Sequence, residues 1–214
     1  MPISDQYQCI FVHIPKCAGT SIEFVLGMHG ENTEVGIKPF DSNNYDGGNL
    51  FGKIQQHYTV SQIKAVIDCN RFNCYYKFSF TRNPWDRLVS FVAWRGAKWA
   101  REEALQNTEF RPFVLDMHKR WKRGESLGRL EPQVSYLTDP NGRLLVDFLG
   151  KVECIERDWD TVRASLGQGL PDLPERMRST HAHYSSYYDN ELRDICSEIY
   201  AEDVNQFGYT FSEG

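Results

Sequence analysis

Residues 9–21 read CIFVHIPKCAGTS, and this stretch decides the fold class of the chain. The apolar run 9–14 predicts a short buried strand, because it ends at Pro15 and is bounded by a loop. The loop 16–19 contains a glycine, and Thr20 and Ser21 then begin a predicted helix that extends to residue 26. A strand, a glycine turn and a helix in this order indicate an α/β protein.

The same alternation continues along the chain. Further strands are predicted at residues 75–81 and within 144–152, and helices at 61–68, from Pro84, from Asp158 to 166 and from Asp189. Residues 27–52 are predicted to form a long loop, and the charged stretch 102–129 a helical excursion over the surface. We therefore expect an α/β fold with one domain over residues 1–214 and a mainly parallel sheet flanked by helices.

Composition excludes several classes of protein. The net charge of -5 argues against a nucleic-acid-binding protein, which is usually basic. The N-terminus lacks the pattern of a signal peptide, and no apolar run is long enough to span a bilayer. These features predict a cytoplasmic protein, with the Golgi lumen as its location only if the chain belongs to a longer, membrane-anchored protein.

The cysteines and histidines do not predict a metal site. Six cysteines are scattered without a CxxC pair, and we expect them to be reduced thiols. The pair His181 and His183 has no cysteine or carboxylate cluster beside it, whereas a zinc site needs clustered ligands.

The loop between the first strand and its helix predicts an anion site. A glycine turn at a helix N-terminus directs backbone N–H groups at one point, and Lys16 adds a full charge. The loop is not a Walker A motif, because its lysine precedes the glycine, and the chain has no G-x-G-x-x-G. It is not a cysteine-phosphatase loop either, since Glu23 lies where that loop would need an arginine.

A second anion site is predicted in residues 80–90, which read FTRNPWDRLVS. Arg82 follows a strand, and open α/β sheets bind their ligands at the carboxyl ends of the strands. Ser90 lies about two turns into the following helix, so the pair can hold a second phosphate. We expect Arg87 to form a surface ion pair with Asp86 or a neighbouring carboxylate.

Together the two motifs resemble those of the sulfotransferases that use 3′-phosphoadenosine 5′-phosphosulfate (PAPS), in the branch of the Golgi carbohydrate sulfotransferases and their bacterial relatives. HIPKCAGTS is similar to that family's 5′-phosphosulfate loop, and FTRNPWDRLVS to its 3′-phosphate motif. Residues 131–162 and 181–211 resemble its middle and C-terminal segments. Only about residues 27–56 and 102–130 lie outside the resemblance.

The resemblance implies a P-loop-like sulfotransferase fold, PAPS as co-substrate, a hydroxyl-bearing glycan or small molecule as acceptor, and no metal. Lys16 would contact the leaving phosphate, and His57 would be the base that activates the acceptor, with activity rising through a pKa of about 6.5. The residues implied in PAPS binding are Lys16, Cys17, Ala18, Gly19, Thr20, Ser21, Arg82 and Ser90. Arg176, Arg178 and Tyr184 lie in a loop that would close over the nucleotide. His13 is expected to be structural.

Two other functions stay open at this point. A P-loop NTPase would hold Mg²⁺ with an aspartate after an apolar strand, and Asp147 follows Leu145 and Val146. The second alternative is a non-catalytic module that binds a sulfated or phosphorylated ligand. The acceptor itself is not predicted, because the acceptor loops are expected in the segments outside the resemblance.

Overall fold

The computed structural model describes residues 3–28, 56–98, 107–167, 169–174 and 182–213. Within them a four-stranded sheet has the order β1 (Ile3–Ser4), β2 (Cys9–Val12), β3 (Tyr76–Thr81) and β4 (Phe148–Lys151). β2, β3 and β4 run parallel, and β1 pairs antiparallel with β2. The register places Phe11 beside Phe78 and Phe80 beside Gly150.

Helices connect and cover these strands. In chain order they are α1 (Gly19–Val25), α2 (Val60–Val66), α3 (Cys69–Cys74), α4 (Pro84–Lys98), α5 (Asn107–Lys122), α6 (Val134–Leu137), α7 (Ile155–Leu166), α8 (Asn190–Ile199) and α9 (Ala201–Phe207). The predicted α/β class, with a mainly parallel sheet flanked by helices, is confirmed.

The sheet is buried on both faces, as a parallel sheet must be. Phe11, Phe78 and Phe80 point to one face, where α1 and α7 cover them with side chains such as Trp159. Ile10 and Val12 belong to a larger cluster on the other face, built from α2, α4, α8 and α9. Because β2 and β3 are paired in parallel, their carboxyl ends meet at the same edge of the sheet.

The structure differs from the sequence expectations in several details. The edge strand β1 was not predicted, since two residues carry no periodic signal. Asp158 does not cap α7: the helix begins at Ile155, and the buried Asp158 carboxylate accepts a hydrogen bond of 2.8 Å from the Lys151 N–H. The predicted last helix is α8, and a further helix that was not predicted, α9, follows it after the backbone turns at Tyr200, whose hydroxyl donates to the Leu130 carbonyl.

Other boundaries agree with the sequence. Asp189 caps α8 by accepting from the Leu192 N–H, and α4 begins at Pro84. The charged excursion contains α5, which packs on α8. Arg111 of α5 forms ion pairs with Asp189 and Glu191, so charge as well as apolar packing joins the two helices.

Candidate active site

A cavity of about 1130 Å³ opens where β2 and β3 end. His13, Lys16 and Arg82, which follow these strands, line it together with His57 and Ser90. Ligand sites of open α/β sheets lie at this edge, outside the carboxyl ends of the strands. The two predicted anion motifs therefore face one cavity.

The Lys16 loop has the backbone of an anion-binding turn. Lys16 and Ala18 adopt left-handed conformations, with φ of 70° and 59°, on either side of Cys17. Such alternation directs successive N–H groups to one side, and α1 follows without a side-chain cap. Burial, and then the nearby Arg82 charge, lower the pKa of Lys16 to about 8. A bound anion would raise the pKa of this lysine again, because an opposite charge nearby favours the charged form.

Gly19 is required by the packing of His13 against α1. A Cβ at this position would lie 2.1 Å from the His13 ring. His13 Nδ1 lies 2.8 Å from Oε1 of Glu23, and both side chains are buried. Burial raises the pKa of the Glu23 carboxyl, but the charge and hydrogen bond of His13 outweigh burial and hold it at about 2. His13 thus pairs with a carboxylate rather than with a backbone group.

His57 is held against the end of β2 with one ring nitrogen directed away. Its Nδ1 lies 3.2 Å from the His13 carbonyl oxygen, and its ring packs edge-on to the His13 ring at 4.6 Å. Because a carbonyl only accepts, Nδ1 carries the hydrogen and Nε2 keeps a lone pair. Gln56 donates to Glu23 at 2.7 Å and so fixes the residue before His57. In this tautomer Nε2 of His57 can accept a proton.

The surroundings of His57 disfavour the protonated form of its ring. Burial, followed by the charge of His13, lowers its pKa to about 3, and Arg129 adds to the effect. The ring is therefore neutral at physiological pH. This pKa is lower than the value of about 6.5 that the sequence predicts for His57.

Arg82 and Ser90 lie on the same cavity wall. The Arg82 Nε donates to Asp86 at 2.7 Å, and one terminal nitrogen lies 3.4 Å from the Lys16 carbonyl oxygen. Ser90 is buried in α4 and lines the cavity. Arg82 therefore connects the second anion motif directly to the first.

Arg87 is not the surface ion pair that the sequence predicted. It is 1% exposed, and its guanidinium donates to the carbonyl oxygens of Pro15 at 3.0 Å, Glu131 at 3.0 Å and Arg129 at 2.9 Å. An arginine fork can satisfy several carbonyl groups at once. Arg87 thereby joins α4 to the Lys16 loop and to residues 129–131, a role that depends on segments far apart in the sequence.

Nearly all predicted site residues that the structure describes line this cavity. They are Lys16, Ala18, Gly19, Thr20, Ser21, His57, Arg82, Ser90 and Tyr184. Cys17 is the exception: its thiol is buried, donates to Gln133 Oε1 at 3.3 Å, and has its pKa raised to about 12 by burial. Any contact of Cys17 with a ligand would use its backbone. Arg176 and Arg178 lie outside the described residues.

Trp94 and Arg129 extend the site beyond the predicted residues. Lys16 Nζ lies 5.3 Å from the Trp94 ring centre, and the Arg129 guanidinium 5.7 Å from it. Both residues line the cavity. Arg129 was not predictable from the sequence, because it lies in a segment without a recognisable motif.

No cluster of three metal-binding side chains occurs in the described part of the chain. Metal-independent chemistry remains a prediction.

Comparison with known proteins supplies the family. The model of the sulfotransferase family matches residues 1–210. Carbohydrate sulfotransferase 10 of Xenopus laevis is 27% identical over 67% of this chain and 39% of its own length. Carbohydrate sulfotransferase 11 of Rattus norvegicus is 24% identical over 97% of this chain and 66% of its own length. The chain thus spans between about two fifths and two thirds of these relatives. No solved structure matches the chain.

The expectation of a cytoplasmic protein is wrong. The matching relatives are carbohydrate sulfotransferases, which belong to the Golgi membrane rather than the cytoplasm. Among the described residues, no helix combines the length and the apolar character needed to cross a bilayer.

The family match covers almost the whole chain, and both of its anion-binding motifs face one cavity. The chain belongs to the sulfotransferase family.

Proposed function

We propose that this chain transfers the sulfuryl group of PAPS to a hydroxyl group of a carbohydrate, with His57 as the general base. One observation carries the proposal. A single cavity is lined by the Lys16 loop, the Arg82 and Ser90 pair, and His57. The names of the matching relatives support a carbohydrate as the acceptor.

The donor would span the two anion motifs. The loop from Lys16 to Ser21 would hold the 5′-phosphosulfate with its backbone N–H groups and the lysine charge. Arg82 and Ser90 would hold the 3′-phosphate, the guanidinium by a charge-assisted contact. Tyr184 lines the same cavity and would lie next to the nucleoside. Only a ligand with anionic groups at both ends, such as this nucleotide, would contact both motifs at once.

In the reaction, the acceptor oxygen would attack sulfur in line with the leaving oxygen of the 5′-phosphate. A new S–O bond forms, and the S–O bond to the nucleotide breaks and leaves its electron pair on adenosine 3′,5′-bisphosphate. Nε2 of His57 accepts the hydroxyl proton, while Lys16 and the loop amides stabilise the leaving oxygen. Losing one such preorganised contact typically raises a barrier by roughly 3–4 kcal/mol.

Trp94 and Arg129 would contact the acceptor. An aromatic ring offers a flat apolar surface on which a sugar ring can pack, and Trp94 lies beside Lys16. Arg129 is half-buried, and within the described residues its guanidinium forms no ion pair. Arg87 fixes its backbone next to the loop by binding the Arg129 and Pro15 carbonyls. An acceptor with a carboxylate or sulfate near the reacting hydroxyl fits this arrangement.

The NTPase alternative has less support. Asp147 accepts from the Lys77 backbone N–H at 2.8 Å and precedes β4, so it lies at the opposite end of that strand from the cavity. An aspartate in that place is not positioned to hold a metal beside the Lys16 loop.

Calorimetry with two nucleotides tests the donor site. Adenosine 3′,5′-bisphosphate should bind at least about ten-fold more tightly than ATP without metal, because one charged contact adds about 1.5–3 kcal/mol. Arg82→Ala should remove most of this preference and leave the affinity for adenosine 5′-monophosphate nearly unchanged. Equal affinity for ATP and the bisphosphate in the wild type would favour the NTPase instead.

A further inference from the structure

Gln133 connects the two anion motifs from behind. It lies just before α6, is completely buried and does not line the cavity. Its Nε2 donates to the Arg82 carbonyl at 2.8 Å, and its Oε1 accepts from the Arg82 N–H at 2.9 Å. The amide thus pairs with both backbone groups of Arg82, as a neighbouring strand would, directly after β3 ends.

The same amide also binds the Lys16 loop. The Cys17 thiol donates to Oε1 at 3.3 Å, so one oxygen receives hydrogen bonds from both motifs. The second Nε2 hydrogen is directed to Asp203 at 3.2 Å. A glutamine amide has two donor hydrogens and two acceptor lone pairs, and here all four are used. No other orientation of this amide would satisfy these four partners.

Asp203 fixes the glutamine in turn. This residue of α9 is completely buried and accepts from the backbone N–H groups of Gln133 at 2.8 Å and Val134 at 2.9 Å. Burial raises the pKa of the Asp203 carboxyl, against the effect of these two hydrogen bonds. The C-terminal helix therefore holds Gln133 in place, and Gln133 bridges the two motifs.

We propose that Gln133 is a positioning residue that holds the Lys16 loop and Arg82 at the separation that a nucleotide with phosphates at both ends requires. The inference rests on the proposed donor. A ligand that contacts one motif can follow a small displacement of that motif. A ligand that contacts both motifs cannot follow such a displacement without losing one contact. Its affinity therefore depends on the separation of the motifs, whereas the affinity of a ligand on one motif does not.

The test compares three nucleotides on the Gln133→Met variant by calorimetry. Methionine has a similar volume but lacks the amide. Adenosine 3′,5′-bisphosphate should bind at least about ten-fold more weakly, the equivalent of about 1.4 kcal/mol. The affinities for adenosine 5′-monophosphate and adenosine 3′-monophosphate should each fall by less than about three-fold. Ser135→Ala, an exposed position two residues away, is the matched control and should change none of the three affinities.

Two results would overturn the inference: unchanged binding of the bisphosphate, or an equal loss for all three nucleotides, which marks a general structural effect. If Gln133→Met does not fold, Cys17→Ala removes the thiol bond to Gln133 together with the sulfur's contact to the Pro15 carbonyl, and the same selective loss should appear with smaller size. Failure of the wild-type chain to prefer the bisphosphate over the monophosphates would contradict the proposed donor site itself. The two failures are therefore distinguishable.

Discussion

At the residue scale, His57 shows how neighbouring groups prepare a side chain for a reaction. The His13 carbonyl selects the tautomer, and the Gln56–Glu23 hydrogen bond holds the preceding residue. His57→Ala should lower turnover by about 10²–10⁴, the usual contribution of a general base. Nucleotide affinity should stay within a few-fold, because His57 binds no phosphate in this account. His118→Ala, a histidine paired with Glu198, is the control.

The pH profile gives a second test of His57. Its pKa lies at about 3 because burial and the His13 charge disfavour the protonated ring. The neutral base is thus fully present above this value and is lost only as the pH falls through it. We therefore expect the pH profile of kcat/KM, measured with limiting PAPS, to show no decrease below pH 6.5 that depends on His57. A limb near 6.5 that disappears in His57→Ala would contradict the low pKa.

Arg129 is a residue whose role in acceptor binding can be separated from donor binding. Arg129→Ala should raise the KM for an acidic oligosaccharide by roughly 10–100-fold, since a hydrogen bond to a charged group contributes about 1.5–3 kcal/mol. A neutral acceptor should be much less affected, and affinity for PAPS should not change. The exposed Arg123→Ala is the control. Weaker PAPS binding in Arg129→Ala would instead assign the arginine to the donor.

Residues of this site were predictable to the extent that they lie within a motif. The sequence places Lys16 and Arg82 after predicted strands and His57 before a predicted helix. Gln133 was not predictable, because its partners Arg82 and Cys17 lie 51 and 116 positions away. Such a contact depends on tertiary packing, and a single buried glutamine carries no local signal.

At the scale of elements, the buried Arg87 joins α4 to two other segments. Arg87→Met should lower the free energy of unfolding by roughly 3 kcal/mol or more, because three buried carbonyl groups would lose their donors. Urea denaturation measures this change, and Arg123→Met on the surface is the matched control. A loss of less than about 1 kcal/mol would mean that water or another donor replaces the guanidinium.

The elements themselves were mostly predictable from periodicity and capping. β2, β3 and α4 appear where apolar runs, a terminal proline and helical spacing placed them. Asp158 misled the prediction, since an aspartate early in a helix resembles an N-cap while its carboxylate binds a strand N–H. Local sequence does not distinguish these two partners.

At the scale of the whole molecule, the alternation of strands and helices was sufficient to predict the parallel sheet but not its order. The order β1-β2-β3-β4 places the two motif-bearing strands β2 and β3 side by side, so their loops share one cavity. This adjacency is what allows one donor to bridge both motifs.

Transfer of label from PAPS carrying radioactive sulfur is the most direct measurement of the central claim. Incubation of the chain with acidic and neutral oligosaccharides should give labelled oligosaccharide and an equal amount of adenosine 3′,5′-bisphosphate. Lys16→Ala and His57→Ala should each abolish most of this transfer. Tight binding of the bisphosphate without label on any oligosaccharide would contradict the account and leave a nucleotide-binding protein without this activity.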